Sequence, residues 1–339
     1  AVCNGTSATL TGSTPTGGNG TYTYLWMSST TSATAGFAAA TGTNNTQSYT
    51  SASLTQPTWF RRYTTSGGCA DTSVASLMSI TNTNTWSGTT STAWGTTTNW
   101  GCGRVPVSTD SVVIVSAANQ PIIIDGGRVS NSLTIGTGAS LTINNALSQL
   151  TIGGIYTNNG TLTHTAGEIV FAGTSNQNIP AGTYAKVTVN NAAGVTLSGS
   201  ASLSDSLKLT NGSIVLGANN LTLTGTSAIV SNASASRYVV TNGAGSLVIQ
   251  NIGSTGRTGA VTFPIGNVLY NPATVTNTGT TDNFSARVID SVTTTYSGTT
   301  PTGTKVSTNA VNHTWMINEA VTGGSNATVS LQWNAADEL

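Results

Sequence analysis

Residues 133–152 read Leu-Thr-Ile-Gly-Thr-Gly-Ala-Ser-Leu-Thr-Ile-Asn-Asn-Ala-Leu-Ser-Gln-Leu-Thr-Ile. The unit aliphatic-Thr-aliphatic occurs three times, and between the copies lie Gly and Asn, the residues that turn a chain most cheaply. An extended strand alternates its side chains, so each unit sends its two aliphatic residues to one side and its threonine to the other. The pattern continues as Val187-Thr-Val189, Val195-Thr-Leu197, Leu207-Lys-Leu209 and Leu221-Thr-Leu223, with corners at Asn158-Asn-Gly160, Asn211-Gly212 and Gly217-Ala-Asn-Asn220. Taking Leu133, Leu150, Ile169, Val187 and Leu207 as equivalent positions gives steps of 17, 19, 18 and 20 residues. Such steps match coils of two or three short strands. One coil cannot bury its own inner face, so successive coils stack into a right-handed parallel β-solenoid. A twisted sandwich of short hairpins is the competing arrangement, since the same corners would serve it.

Outward from this stretch the period fades in both directions. Residues 1–82 alternate strand-like pieces with turn clusters: Ala8–Thr11, Tyr22–Trp26, Gln47–Tyr49, Thr58–Tyr63 and Ser73–Met78. That spacing predicts a small Ig-like β-sandwich. The solenoid, opened by a tryptophan-rich cap, is expected over 83–240. From 241 to 339 the strands and connections lengthen, as in Ser246–Gln250, Asn283–Ile289 and Asn312–Ile317, and a second β-sandwich is expected. The strand-like Ala327–Trp333 runs almost to Leu339 with no closing turn, so this sandwich reads as truncated and the chain as a fragment. The fold class is therefore all-β, and no window shows the apolar spacing of a capped helix.

Composition narrows the function. Ten Lys+Arg and ten Asp+Glu make the chain 6% charged with zero net charge, against about 25% for an ordinary soluble domain. A neutral chain offers no basic field for nucleic acid or for an anionic membrane surface. Its longest aliphatic runs, Val112–Val115 and Ile122–Ile124, are far short of the ~20 residues that span a bilayer. Neither nucleic acid nor membrane insertion is expected.

Three cysteines are present. Cys3 and Cys69 stand near the two ends of the first module with Trp26 and Trp59 between them, and a Cys3–Cys69 disulfide is the expected pairing, against two free thiols. Cys102, in Asn99-Trp-Gly-Cys-Gly103, is then left to pair outside this chain or to remain a buried thiol. Trp86, Trp94 and Trp100 fall within fifteen residues. Their indole faces would suit sugar stacking, but a stack of coils also needs its exposed apolar end covered, and these residues are favoured as that plug.

As a set, these blocks resemble the large secreted surface proteins and adhesins of Bacteroidota exported by the type IX secretion system. Tyr22–Trp26 with Thr65-Ser-Gly-Gly-Cys-Ala-Asp71 is similar to their Ig-like modules. Trp86, Asn99-Trp100, Val105-Pro106 and Asp110-Ser-Val-Val-Ile114 resemble the segment that opens their β-helical region. Phe263-Pro-Ile-Gly266, Tyr270-Asn-Pro272, Phe284–Val288 and Asn312-His-Thr-Trp315 through Gly323-Gly-Ser-Asn-Ala-Thr328 resemble the sandwich that follows. The resemblance covers nearly the whole chain. It implies an extracellular, cell-surface location and a structural or adhesive part in adhesion, gliding or biofilm. A surface polysaccharide or other cell-surface ligand is the implied partner. Low charge leaves little repulsion between strand edges, so further copies of the chain are a second expected partner. The resemblance also bears on Asp110-Ser-Val112, Asp205-Ser-Leu207 and Asp290-Ser-Val292, which look like the O-glycosylation signal of such proteins, with Ser111, Ser206 and Ser291 as acceptors. The alternative is that Asp-Ser merely opens a strand.

Chemistry-bearing residues are sparse. His164 and His313 are the only histidines and lie in different expected modules; His164 falls on an inward position of its strand, as a hydrogen-bonded core histidine would. Solenoid polysaccharide lyases are the nearest enzymatic analogy, but the repeats hold only Glu168, Asp205, Lys186 and Lys208. No acid cluster is there to hold a hard cation. The alternating Thr161, Thr163 and Thr165 suggest an ice-binding ladder, which Lys208 and the usual single threonine per unit argue against. The expectation is a protein without catalytic residues or cofactor, with a carbohydrate-binding or carbohydrate-processing β-helix module as the alternative.

Overall fold

A computed structural model describes residues 1–298 and 300–339. Its elements are strands with two single-turn 3-10 segments, at Thr97–Asn99 and Ala335–Asp337. No helix among the described residues is long and apolar enough to cross a membrane. The chain divides into two compact units, Ala1–Thr85 with Gly101–Arg104 and Trp86–Trp100 with Val105–Leu339.

In the first unit Thr23–Ser29 pairs antiparallel with Thr58–Ser66, Trp26 opposite Arg62. Ala38–Ala39 extends this sheet on one side, and Cys69–Thr72 and Ser76–Met78 on the other. A second antiparallel pair, Thr9–Leu10 with Tyr49–Thr50, shares with it a core of Leu10, Trp26, Ala40, Tyr49 and Phe60. Ser66 and Cys69 are paired residues, so only Gly67 and Gly68 form the turn between them. Both have positive φ, +57° and +84°. That is the turn whose twist suits a two-residue hairpin, and only glycine adopts it without strain.

The second unit is a parallel β-solenoid of about six turns. Each of the first three coils contributes a short strand to each of three faces in order, and in the next two the single long strands Gly182–Asn190 and Ala201–Asn211 take the place of the second and third. The first face runs Ser111–Ile114, Ser132–Ile135 and Tyr156–Asn158, and a separate parallel ladder follows with Gln177–Ile179, Val195–Leu197 and Ile214–Val215. The second carries Ile122–Ile123, Ser140–Ile143 and Thr161–His164, the third Arg128–Ser130, Gln149–Ile152 and Glu168–Phe171. Every aliphatic residue of the opening Leu-Thr-Ile triplets points inward: Leu133, Ile135, Leu141, Ile143, Leu150 and Ile152 are at most 1% exposed. Each such side chain contributes at most roughly 1.5–3 kcal/mol by leaving water.

Corners are held to the coil below. At Gly212, where φ is +78°, a Cβ would fall 1.9 Å from the Asn191 carbonyl oxygen, so both conformation and space exclude a side chain.

One column and one boundary differ from expectation. Leu150, Ile169, Val187 and Leu207 are stacked in register as expected, but Leu133 is not in their column. It pairs with Val112 and Tyr156 on the first face. The first step of 17 residues therefore joined two faces of one coil, because the three triplets of a coil are chemically alike. The solenoid also runs past 240. Leu247–Ile249 continues the parallel column of Leu221–Leu223, and Ile265–Gly266 that of Val239–Val240.

Beyond this the pairing turns antiparallel. Asp282–Ile289 joins the free side of Leu247–Ile252 and Thr314–Glu319 follows it. A second sheet contains Ala260–Phe263, Ala273–Asn277 and Ala327–Leu331. Phe263, Val275, Phe284 and Val288 belong to the same buried cluster as the coils, so this region extends the solenoid core instead of building a separate one.

Candidate functional site

The tryptophan junction lies at the start of the second unit. Trp86, Trp94 and Trp100 are 0%, 1% and 3% exposed. Trp100 sits edge-on between the other two, with ring centroids 4.9 Å from Trp86 and 4.7 Å from Trp94. The Trp86 indole donates to the Asn119 carbonyl at 2.7 Å and that of Trp100 to the Trp94 carbonyl at 2.8 Å. Asn99, fully buried, forms the hub of the loop: its carbonyl oxygen accepts from the amides of Thr90 and Ser91, and its NH2 donates to Ser91 Oγ and Ala93 O. The loop is sewn onto the first coil by Trp94 N–H to Ile122 O and Ile122 N–H to Thr92 O. A sugar-stacking face at Trp86, Trp94 and Trp100 is thereby excluded. All three rings are consumed in closing the end of the apolar stack.

The disulfide joins Cys3 to Cys102, and the exposed Cys69 is free, so the expected Cys3–Cys69 pairing is corrected. Val2–Cys3 lies parallel to Ile80–Thr81. Gly101 N–H donates to Thr85 O and Cys102 N–H to Asn84 Oδ1. These bonds bring Cys102 back beside Cys3, with Cα atoms 5.5 Å apart. Cys69 instead follows the Gly67-Gly68 turn on the exposed strand Cys69–Thr72.

The three Asp-Ser pairs occupy three different settings. Asp110 is fully buried, its carboxylate accepting from Val107 N–H, and Ser111 opens a strand. Asp205-Ser206 lies inside the long strand Ala201–Asn211. Asp290-Ser291 follows the end of Asp282–Ile289, with Asp290 accepting from Val268 N–H and the Ser291 carbonyl from the Thr314 hydroxyl. The serines are half-buried. Strand opening therefore accounts for one of the three pairs.

His164 fills an inward position beside Ile143. Its Nδ1 accepts from Ala185 N–H at 3.3 Å and its Nε2 faces Gly167 O at 3.2 Å, an arrangement that suits the neutral ring. Burial outweighs the Gly167 carbonyl and lowers its pKa to about 4. On the outer side of the third face Glu168 meets Lys186 at 3.5 Å, and Thr188 and Gln149 donate to its carboxylate. Burial opposes ionisation there, but these donors outweigh it and hold Glu168 below the usual range. Among the described residues no group of three or more His, Cys, Asp or Glu is placed to hold a metal ion.

Two arrangements carried no signal in the sequence. His313 is buried between two carboxylates, Nδ1 lying 3.0 Å from Asp290 and Nε2 3.1 Å from Asp337. Asp337 also accepts from Asn271 and Asn334, so four strand ends meet at one polar node. The other arrangement is in the first unit, where a cleft of about 410 Å3 opens beside Arg62. The Arg62 side chain is buried, donating to Gln47 O at 2.9 Å and Ser13 O at 2.8 Å, and it lies against the rings of Tyr24 and Trp26. Tyr22, Thr64, Ser66, Cys69 and Asp71 line the walls.

Residues 1–84 match a family model described as a domain of unknown function (DUF8696), and residues 85–170 match a second domain of unknown function (DUF8693). The division between them coincides with the edge of the first compact unit at Thr85. No curated protein and no solved structure matches the chain.

Proposed function

We propose that this chain is a non-catalytic, extracellular structural and adhesive segment of a large bacterial cell-surface protein. The observation that carries the reading is the unbroken apolar core from Trp86 to Val288, wrapped in faces whose outward residues are mainly Thr, Ser and Asn. Parallel strands stacked this way give a stiff element whose hydrated surface of hydroxyls and amides responds little to salt. Export by a type IX route and O-glycosylation belong to the same proposal and rest on the sequence resemblance.

Beads coated with the chain, washed over films of bacterial surface polysaccharide, test the adhesive part. Retention where albumin-coated beads wash away supports it, and equal loss of both refutes it. Pulling on the second unit tests the structural part, which fails if the coils unravel at forces no higher than an α-helical control needs. A carbohydrate-binding function is the second reading. With the tryptophan junction buried, the cleft beside Arg62 is the feature that favours it.

A further inference from the structure

Arg62 is a buried cation without a buried anion. Among the described residues no carboxylate lies within 4 Å of its guanidinium. Two backbone carbonyls and two aromatic faces surround it, and these spread the charge but do not neutralise it. A guanidinium has five N–H groups, of which the two carbonyls take two. The chain is shaped around this group: at Gly12 a Cβ would stand 2.0 Å from Arg62 Nη1, so no other residue leaves the guanidinium its place.

Uncompensated positive charge on the floor of a cleft favours an anion, most strongly one with the planar fork geometry that guanidinium matches. The walls above it supply the hydroxyls of Thr14 and Thr64 and the ring of Tyr22, which is steadied by its own bond to Gly17 O at 2.6 Å. Hydroxyls and one tethered aromatic face are the groups that complement a sugar ring.

We propose that this cleft binds an acidic saccharide, its carboxylate or sulfate directed at Arg62 and its ring lying along Tyr22. The inference rests on the adhesive reading and names its ligand class. Asp71, exposed on the rim and accepting from Thr72 N–H, would repel the anion while holding sugar hydroxyls, so removing its charge should tighten binding.

Cys69 supplies the assay, because it lines the cleft and is the free, exposed cysteine of the chain. The full chain is treated with iodoacetamide, alone and with trigalacturonate, a sulfated trisaccharide or a neutral trisaccharide, and alkylation of Cys69 is followed by mass spectrometry. The expected result is that an acidic ligand slows alkylation severalfold, that salt abolishes the protection, and that Asp71→Asn strengthens it. Trigalacturonate and the sulfated sugar acting unequally would tell which anion is preferred.

Replacing Arg62 itself would remove packing on Trp26, so the blocking variant is Thr64→Trp, which fills the cleft from the position two residues along the strand, on the same sheet face as Arg62. Near-ultraviolet circular dichroism checks its fold, and it should bind no acidic saccharide. No protection by either acidic sugar, or equal protection by the neutral one, overturns the proposal. Beads that adhere while Cys69 stays unprotected would sink this site and leave the adhesive reading standing; protection without adhesion would do the reverse.

Discussion

The neutral His164 inside the coils makes the second unit sensitive to mild acid, and the size of the effect follows from its surroundings. In the unfolded chain the imidazole titrates near 6.5, whereas in the folded chain burial lowers it to about 4. Protonating Nδ1 would set a new N–H against the Ala185 N–H that it now accepts from. Between these two values the unfolded state binds a proton that the folded state refuses, so stability falls as pH drops from about 6.5 to about 4 and then levels off. At about 1.4 kcal/mol per pH unit the full loss is about 3 kcal/mol, a large share of the roughly 5–15 kcal/mol that holds a typical protein folded.

The assay is urea unfolding at a series of pH values from 7.5 to 4.5, followed by the fluorescence of the buried Trp86, Trp94 and Trp100. His164→Gln removes the titrating group while keeping a side chain that can accept from Ala185. The variant will be less stable at neutral pH, but its stability should change far less across the window. Glu168 and Asp337 are held below the ordinary carboxylate range by their donors despite the opposing effect of burial. Their contributions are lost at lower pH and are common to both proteins. Parallel stability curves for wild type and variant down to pH 4.5 would refute the reasoning.

Three further outcomes are expected. Peptide mapping without reduction should recover Cys3 linked to Cys102 and alkylated Cys69, and Cys3→Ala with Cys102→Ala should destabilise the first unit by ~4 kcal/mol, since the bond spans 99 residues; a linked Cys3–Cys69 peptide would contradict the fold. Trp94→Ala should cost about 3–5 kcal/mol, read as a lower urea midpoint for the second unit, and a cost under 1 kcal/mol would mean the ring is not the plug described. Asp337→Ala should speed hydrogen exchange at the amides of Asn309, Asn312 and Leu339, which pair the tail with residues 309–312, and unchanged exchange would show that the His313 node does not hold that segment.

Sequence alone determined what repeats at short range. Leu150-Thr-Ile152 and its relatives set the strand, the inward face and the corner, because alternation is a property of the backbone and needs no distant partner. The placement of His164 followed from the same alternation. Which triplet stacks on which did not, as Leu133 shows: three similar triplets per coil make the faces interchangeable until the coils are stacked.

Only the tertiary structure decided contacts between residues far apart along the chain. Cys102 reached Cys3 through the return of residues 101–104 along Asn84 and Thr85, which no spacing rule encodes. The tryptophans became a plug because the first coil presented an open apolar end. Arg62 acquired its cleft, and His313 its two carboxylates, from loops that meet in space and share no pattern in the sequence.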